Sequence, residues 1–204
     1  MKKILILVMA EEKWEEADFL RQQIESQGCE AKILDMGLIL KPEGPCDITR
    51  EEVIAVSGRD PKEVAQITDR GKRMPIMIAG GIRKVRQLYS EGNLDGIISI
   101  GGTTGTQMGT EIMRSLPYGV PKFGVSSTVS LLGFAERAFG TGDITMMNSV
   151  VDFTGTKNVM MRNVLARAAG AICGMVDAGV KVPIVLPGKG EKPLVAITQI
   201  GICE

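Results

Sequence analysis

The chain contains no histidine. That absence removes the Ser-His-Asp triad, the Cys-His dyad and every imidazole metal ligand. Hydrolytic zinc of the usual kind has no ligand set. An acid or base must come from a carboxylate, Lys, Tyr or Cys, or catalysis must rest on positioning and electrostatics alone. Aromatic residues are scarce, with five Phe, two Tyr and one Trp, too few for a base-stacking platform. Neither sign of charge is in excess: 24 Lys plus Arg against 24 Asp plus Glu give a formal net charge of zero. This argues against nucleic acid or an anionic membrane as the main partner. The four cysteines, Cys29, Cys46, Cys173 and Cys203, form no C-x-x-C pair, which removes thioredoxin and zinc-ribbon readings. They read as reduced thiols of a cytoplasmic protein, Cys173 as a small hydrophobe on an apolar helix. No apolar run approaches the roughly 20 residues that span a bilayer. The run Ile4 to Ala10 is short and meets Glu11-Glu12-Lys13 at once, so it reads as a first buried strand and not as a leader.

What remains is an ordinary globular balance, 44% hydrophobic and 24% charged over 204 residues, enough to bury a core of its own. Strands and helices alternate. Residues 3–9 predict a buried strand. Trp14, Ala17, Leu20 and Ile24 recur at helical spacing, predicting a helix over 13–27 that stops at Gly28. Residues 30–35 predict a second strand ending at Asp35. Pro42, Gly44, Pro45 and Asp47 mark a loop, after which Asp47 or Thr49 can cap a short helix. Pro61 fits a first helical turn, and helical pattern runs to about Glu91 with a bend at Pro75. Further strands are predicted at 95–100, 120–126 and 143–148, with helices at 106–115 and 157–178. The last helix is rich in small residues, from Ala166 to Gly174, so another backbone or a second subunit can approach it closely. Final strands are expected at 182–186 and 194–199 around Pro187-Gly188-Lys189-Gly190. The pattern predicts an α/β fold, a Rossmann-like, mainly parallel sheet with helices on both faces. It reads as one nucleotide-binding domain over 1–204, with a small irregular subdomain around 37–92.

The strongest local signal is Gly101-Gly102-Thr103-Thr104-Gly105-Thr106. It leaves a strand and opens a helix. Glycine lets a phosphate approach the backbone, and the amides, hydroxyls and positive helix end then face the anion. The alternative is a tight turn with no ligand. No G-x-x-x-x-G-K-[ST] is present, and Met9-Ala10-Glu11-Glu12 stands where a dinucleotide fingerprint would follow the first strand, which argues against P-loop enzymes and dehydrogenases. Ligands of parallel sheets sit at the carboxyl edge, so Ser126, Ser127 and Thr128 are candidate phosphate or ribose partners, or else a locally bonded polar loop. Asp35 is either a ribose ligand or a solvated turn residue. Asp143, Asn148 and Asp152 could hold a magnesium-bound nucleotide, although capping explains Asp152 as simply. The acids Glu11, Glu12, Glu15, Glu16 and Asp18 suit a helix N-terminus, and Arg83, Lys84 and Arg86 suit a solvated helix face.

Taken in order, several segments carry a resemblance. They are Gly101 to Thr106, Arg114-Ser115-Leu116-Pro117-Tyr118-Gly119-Val120-Pro121-Lys122, Val125-Ser126-Ser127-Thr128-Val129-Ser130, Met147-Asn148-Ser149-Val150-Val151-Asp152, and the small-residue helix from Asn163 to Met175. The series resembles the Tm-one-like ATP-binding domain family of microbial proteins and a plant tobamovirus-resistance protein. The resemblance covers nearly the whole chain. It implies ATP, accompanied by Mg, with its phosphates on 101–106 and with Ser126 to Thr128 alongside. It also implies a homodimer, or a separate chain that supplies a C-terminal half, since the family's members are about twice this long. Lys13, Glu15 and Glu16 match the family's first-helix segment, while Trp14 replaces a glycine and would fill space beside a ligand. Lys13 and Asp152 complete the candidate ligand set. Other readings are half of a split metabolic enzyme acting on a phosphorylated or carboxylated small molecule, and a protein-interaction module without turnover.

Overall fold

A computed structural model describes residues 1–138 and 140–181. The two strands expected at 182–186 and 194–199, their turn at 187–190, and Cys203 lie outside the described residues. The first βαβ unit is β1 (Lys2–Val8), α1 (Ala10–Glu25) and β2 (Cys29–Asp35). Three helices follow, α2 (Arg50–Val56), α3 (Pro61–Ala65) and α4 (Arg70–Ser90). Then come β3 (Gly96–Gly101), α5 (Thr103–Met113), β4 (Lys122–Ser126), α6 (Phe134–Ala138), β5 (Thr145–Asn148) and α7 (Val159–Lys181).

The five strands form one sheet in the order β2-β1-β3-β4-β5, and every pairing is parallel. The continuous apolar run of β1 and the largely apolar β3, interrupted by the buried Ser99, follow from burial on both faces. Alternate residues of each strand enter opposite cores. Ile4, Ile6 and Val8 join α1 and α7 through Ala17, Leu20, Ile24, Leu165 and Ile172. Leu5 and Leu7 join α2, α4 and α5 through Val53, Met77, Val85, Met108 and Ile112. Helices therefore cover both faces, and the α/β fold is as the sequence predicts.

Local chemistry fixes the joints. Gly28 ends the first helix with φ +83. Thr49 closes a capping box with Glu52, and Pro61 occupies the first turn of α3 behind the cap Asp60. The segment 37–92 is largely helical, with its irregular part ahead of α2. There Asp47 and Ile48 lie along the open edge of β2, with Ile48 N donating to Ile33 O and Asp35 N to Ile48 O. Arg83 and Arg86 are not simply solvated. Their guanidinium groups donate to Val56 O and Ser115 O, carbonyls at the ends of α2 and α5, where cations are favourable. Gly80 is required by packing, since a Cβ there would stand 2.0 Å from Val53 O.

One described helix, Val159–Gly179, is long and apolar enough to cross a membrane. Its apolar side is buried against α1 and the sheet through Met161, Leu165, Ala168 and Ile172, as in a core helix.

Candidate functional site

In a sheet of this order the chain leaves β1 and β3 in opposite senses, so their carboxyl ends flank an open crevice where α/β proteins bind ligands. A cleft of about 270 Å³ lies there, lined by Met9, Glu12 and Lys13 after β1, Arg70 at the start of α4, and Ile100 to Gly105 at the β3–α5 junction.

The β3 side is open. α5 begins at Thr103, three residues before the sequence predicts, because Thr and Gly are weak helix formers and hide the first turn. Its N-cap, Gly102, supplies no side-chain cap. The first-turn amides have no acceptor within the helix, and Thr103, Thr104 and Gly105 all line the cleft. At Gly102 a Cβ would meet only Ser127 Oγ, at 3.7 Å, so packing does not demand a glycine there. Gly101 is tighter, with 3.0 Å to Gly105 Cα. Gly109, further along α5, lets the helix lie on Ser99 of β3.

The β1 side is closed. Asp35 is buried, accepts from Ala10 N and Gly37 N, and is paired at 2.9 Å with Arg50 Nε. It is neither a solvated turn residue nor available to a ribose. Glu11 is buried as well. It accepts from Leu38 N at 3.1 Å and Ile39 N at 2.8 Å, and pairs with Arg70 and Arg50. The acids of this first turn therefore organise the 36–39 segment. Glu16 and Glu15 do the same for the β5–α7 loop, through Gly155 N at 2.7 Å and the Thr156 hydroxyl.

Glu12 reaches the cleft. It accepts from Arg70 at 2.7 Å and from Lys13 Nζ at 3.2 Å. Burial opposes its ionisation, but the Arg70 guanidinium and the Lys13 ammonium outweigh that and hold its carboxyl below the usual range. Arg70 is raised in turn, first by its bond to Glu12. Lys13 breaks the helical backbone with φ −141, and its ammonium lies 5.7 Å from the ring centre of Phe153. Trp14 turns away. It donates to Pro45 O at 2.9 Å and packs on Gly44, so it does not fill the cleft as its place in the sequence suggests.

Of the predicted residues, Lys13 and Gly101 to Gly105 come together in the cleft. Thr106 and Ser126 lie beneath it, buried, with the Thr106 hydroxyl donating to Ser126 Oγ at 2.8 Å and to Gly101 O at 3.3 Å. Ser127 N donates to Gly101 O at 3.3 Å, which sets this half-buried residue beside Gly102. Thr128 donates through its amide to Ser126 Oγ at 3.1 Å. Asp152 is exposed, accepts from Phe153 N and does not line the cleft. Asp143 lies at the amino edge of the sheet, paired at 2.9 Å with the buried Lys122. Asn148 accepts from Val150 N, so Asp143, Asn148 and Asp152 form no common site. Among the described residues no three His, Cys, Asp or Glu side chains group to hold a metal, and Glu12 is the one carboxylate lining the cleft.

Sequence reasoning missed Met9, Glu12, Arg70 and Ile100. The rule that strand ends share one edge points to Met9 and Glu12; nothing local points to Arg70. Among the described residues no cysteine lines the cleft. Burial pushes Cys46 up to about 12, aided by Asp35 and Asp47, and burial with neighbouring Cys29 pushes Cys173 up to about 12.

The profile of the N-terminal domain of an uncharacterised protein family, UPF0261, matches residues 2–181. A UPF0261 protein of Clostridium tetani is 37% identical over 98% of this chain and 48% of its own length. One of Mesorhizobium japonicum is 33% identical over 99% of this chain and 48% of its own. The ToMV susceptible protein tm-1 of Solanum lycopersicum is 29% identical over 85% of this chain and 25% of its own length. The chain thus spans about half the length of the first two relatives. A solved structure from Xanthomonas campestris, described as a putative hydrolase of the alpha/beta superfamily, is 11% identical with a TM-score of 0.43, over 85% of this chain and 99% of its own. An overlap that loose supports no argument.

Proposed function

This chain belongs to the UPF0261 family, as its N-terminal domain, and on that premise we propose that it binds a nucleotide, ATP first, with the phosphates on the 101–106 turn. The observation that carries the reading is the uncapped start of α5, opening into the cleft between β1 and β3. Backbone amides at a helix N-terminus favour phosphate by direct hydrogen bonding and by the helix dipole. Lys13 and Arg70 supply positive charge on the facing wall, and both are engaged by Glu12. A polyphosphate replaces Glu12 as their partner. Mg enters with the nucleotide, held by phosphate oxygens and water, with Glu12 as the nearest protein carboxylate. No general base or nucleophile is assigned, so the proposed activity is binding.

The protein is further proposed to act in the cytoplasm as a homodimer. Free Cys29, Cys46 and Cys173 support the first. The second is supported by exposed Gly170 and Gly174 on α7, where another backbone can approach closely. A second reading follows from the length of the relatives: the cleft is one wall of an enzyme site completed by a C-terminal half.

Calorimetric titration with MgATP tests the first reading. A micromolar signal is expected from this chain, and the folded Gly102→Val variant should lose at least about 100-fold in affinity, or roughly 2.7 kcal/mol. Unchanged affinity in that variant overturns the loop assignment. Binding only after the C-terminal half of a relative is added favours the shared site.

A further inference from the structure

A second cavity, of about 310 Å³, lies between α5 and α6, lined by Thr103, Gln107, Phe134 and Ala138. Thr103 lines both cavities, so only the first turn of α5 separates them. Their chemistries differ. The first is walled by amides, Lys13, Arg70 and Glu12. The described lining of the second has no charge: an aromatic ring, a methyl, a hydroxyl and a carboxamide.

Gln107 stands one turn beyond Thr103, on the same side of α5. Its Nε2 donates to Glu111 Oε1 at 3.3 Å, which aligns the carboxamide along the helix, and the group offers both a donor and an acceptor. Phe134 opens α6 and is tied by its amide to Leu131 O at 3.0 Å. Leu131 and Leu132, just before it, are exposed. A flat ring that stacks on carbon and bonds through its edge suits such walls.

We propose that this second cavity takes the heterocyclic base of a nucleotide whose phosphates occupy the first cleft. The proposal rests on the phosphate reading above. Thr103 then sits at the junction between phosphate and nucleoside, and Gln107 and Phe134 decide whether a nucleotide is preferred over a bare polyphosphate. The second cavity, at about 310 Å³, falls at the lower end of the range of small-molecule sites, and the first cleft, at about 270 Å³, lies just below it.

The experiment titrates the chain with magnesium tripolyphosphate and with MgATP, in the wild type, Gln107→Ala and Phe134→Leu. The wild type should bind ATP at least 10-fold tighter than tripolyphosphate. Each variant should lose about 10-fold for ATP, the scale of one stacking or edge contact, and keep its tripolyphosphate affinity. Retained tripolyphosphate binding shows that a variant is folded. Equal affinities for the two ligands in the wild type overturn the base site and leave the phosphate reading standing. So does ATP preference that survives both variants. A wild type that binds neither ligand overturns both.

Discussion

Two strand-to-helix junctions face each other across the cleft, and they use their polar groups in opposite ways. At β1–α1 the first-turn amide of Ala10 is taken by Asp35, and Glu11 is taken by Leu38, Ile39, Arg50 and Arg70. At β3–α5 there is no side-chain cap, and residues 101–105 line open space. The first junction is closed on itself and holds the fold. The second leaves donors unclaimed at the place where the sheet opens. A helix N-terminus is thus a site only where the fold has not already supplied the anion.

The comparison breaks most severely at Arg50. Removing it leaves Asp35 and Glu11 buried with less compensation, which costs about 3–5 kcal/mol. Arg50→Ala should therefore lower the thermal unfolding midpoint by roughly 10 °C. A fall under about 2 °C would show that the closed junction is not a stability element. At the open junction Gly102→Ala should leave stability within about 1 kcal/mol, because its Cβ meets only Ser127 Oγ.

Glu12 sharpens the contrast, being the one carboxylate of the closed junction that lines the cleft. Its carboxyl is held low by Arg70 and Lys13 against the opposing effect of burial, so at neutral pH it is ionised and competes with an incoming anion. Glu12→Gln should raise tripolyphosphate affinity about fivefold at pH 7, the scale of an exposed ion pair. The ratio of variant to wild type should fall toward one as the pH drops below 4.5, since protonation removes the same charge. A ratio independent of pH would assign Glu12 no electrostatic part. The lowered value also means that Glu12 contributes stability at neutral pH, which is lost as acid protonates it. The smallest effect lies away from both junctions. Thr49→Ala opens the capping box of α2 and should cost about 1 kcal/mol, read as a fall of about 2–4 °C, with no change in ligand binding.

Much of this was written in local pattern. Buried strands announce themselves as apolar runs, unbroken at 4–8 and interrupted by Ser99 alone at 97–100, and Gly28, Thr49 and Pro61 each do what their chemistry predicts. The 101–106 turn is visible because glycine and threonine cluster after such a run. Helix α6 was missed because five residues show no period. Trp14 was misplaced because a side chain's direction depends on the break at Lys13, which no spacing reveals. Arg70 was invisible for a different reason. It reaches the cleft through pairing with Glu11 and Glu12, nearly 60 residues earlier, and only the folded chain joins them.

The packing of α7 on α1 has a consequence for synthesis. The buried face of α1, with Ala17, Leu20 and Ile24, shares its core with Met161, Leu165 and Ile172. A ribosome adding about 5–20 residues per second completes α1 roughly 7–30 seconds before it delivers α7. The opposite core, built from α2, α4 and α5, closes within a shorter stretch of chain. The apolar face of α1 therefore lacks its α7 partner until the chain has been made through Lys181.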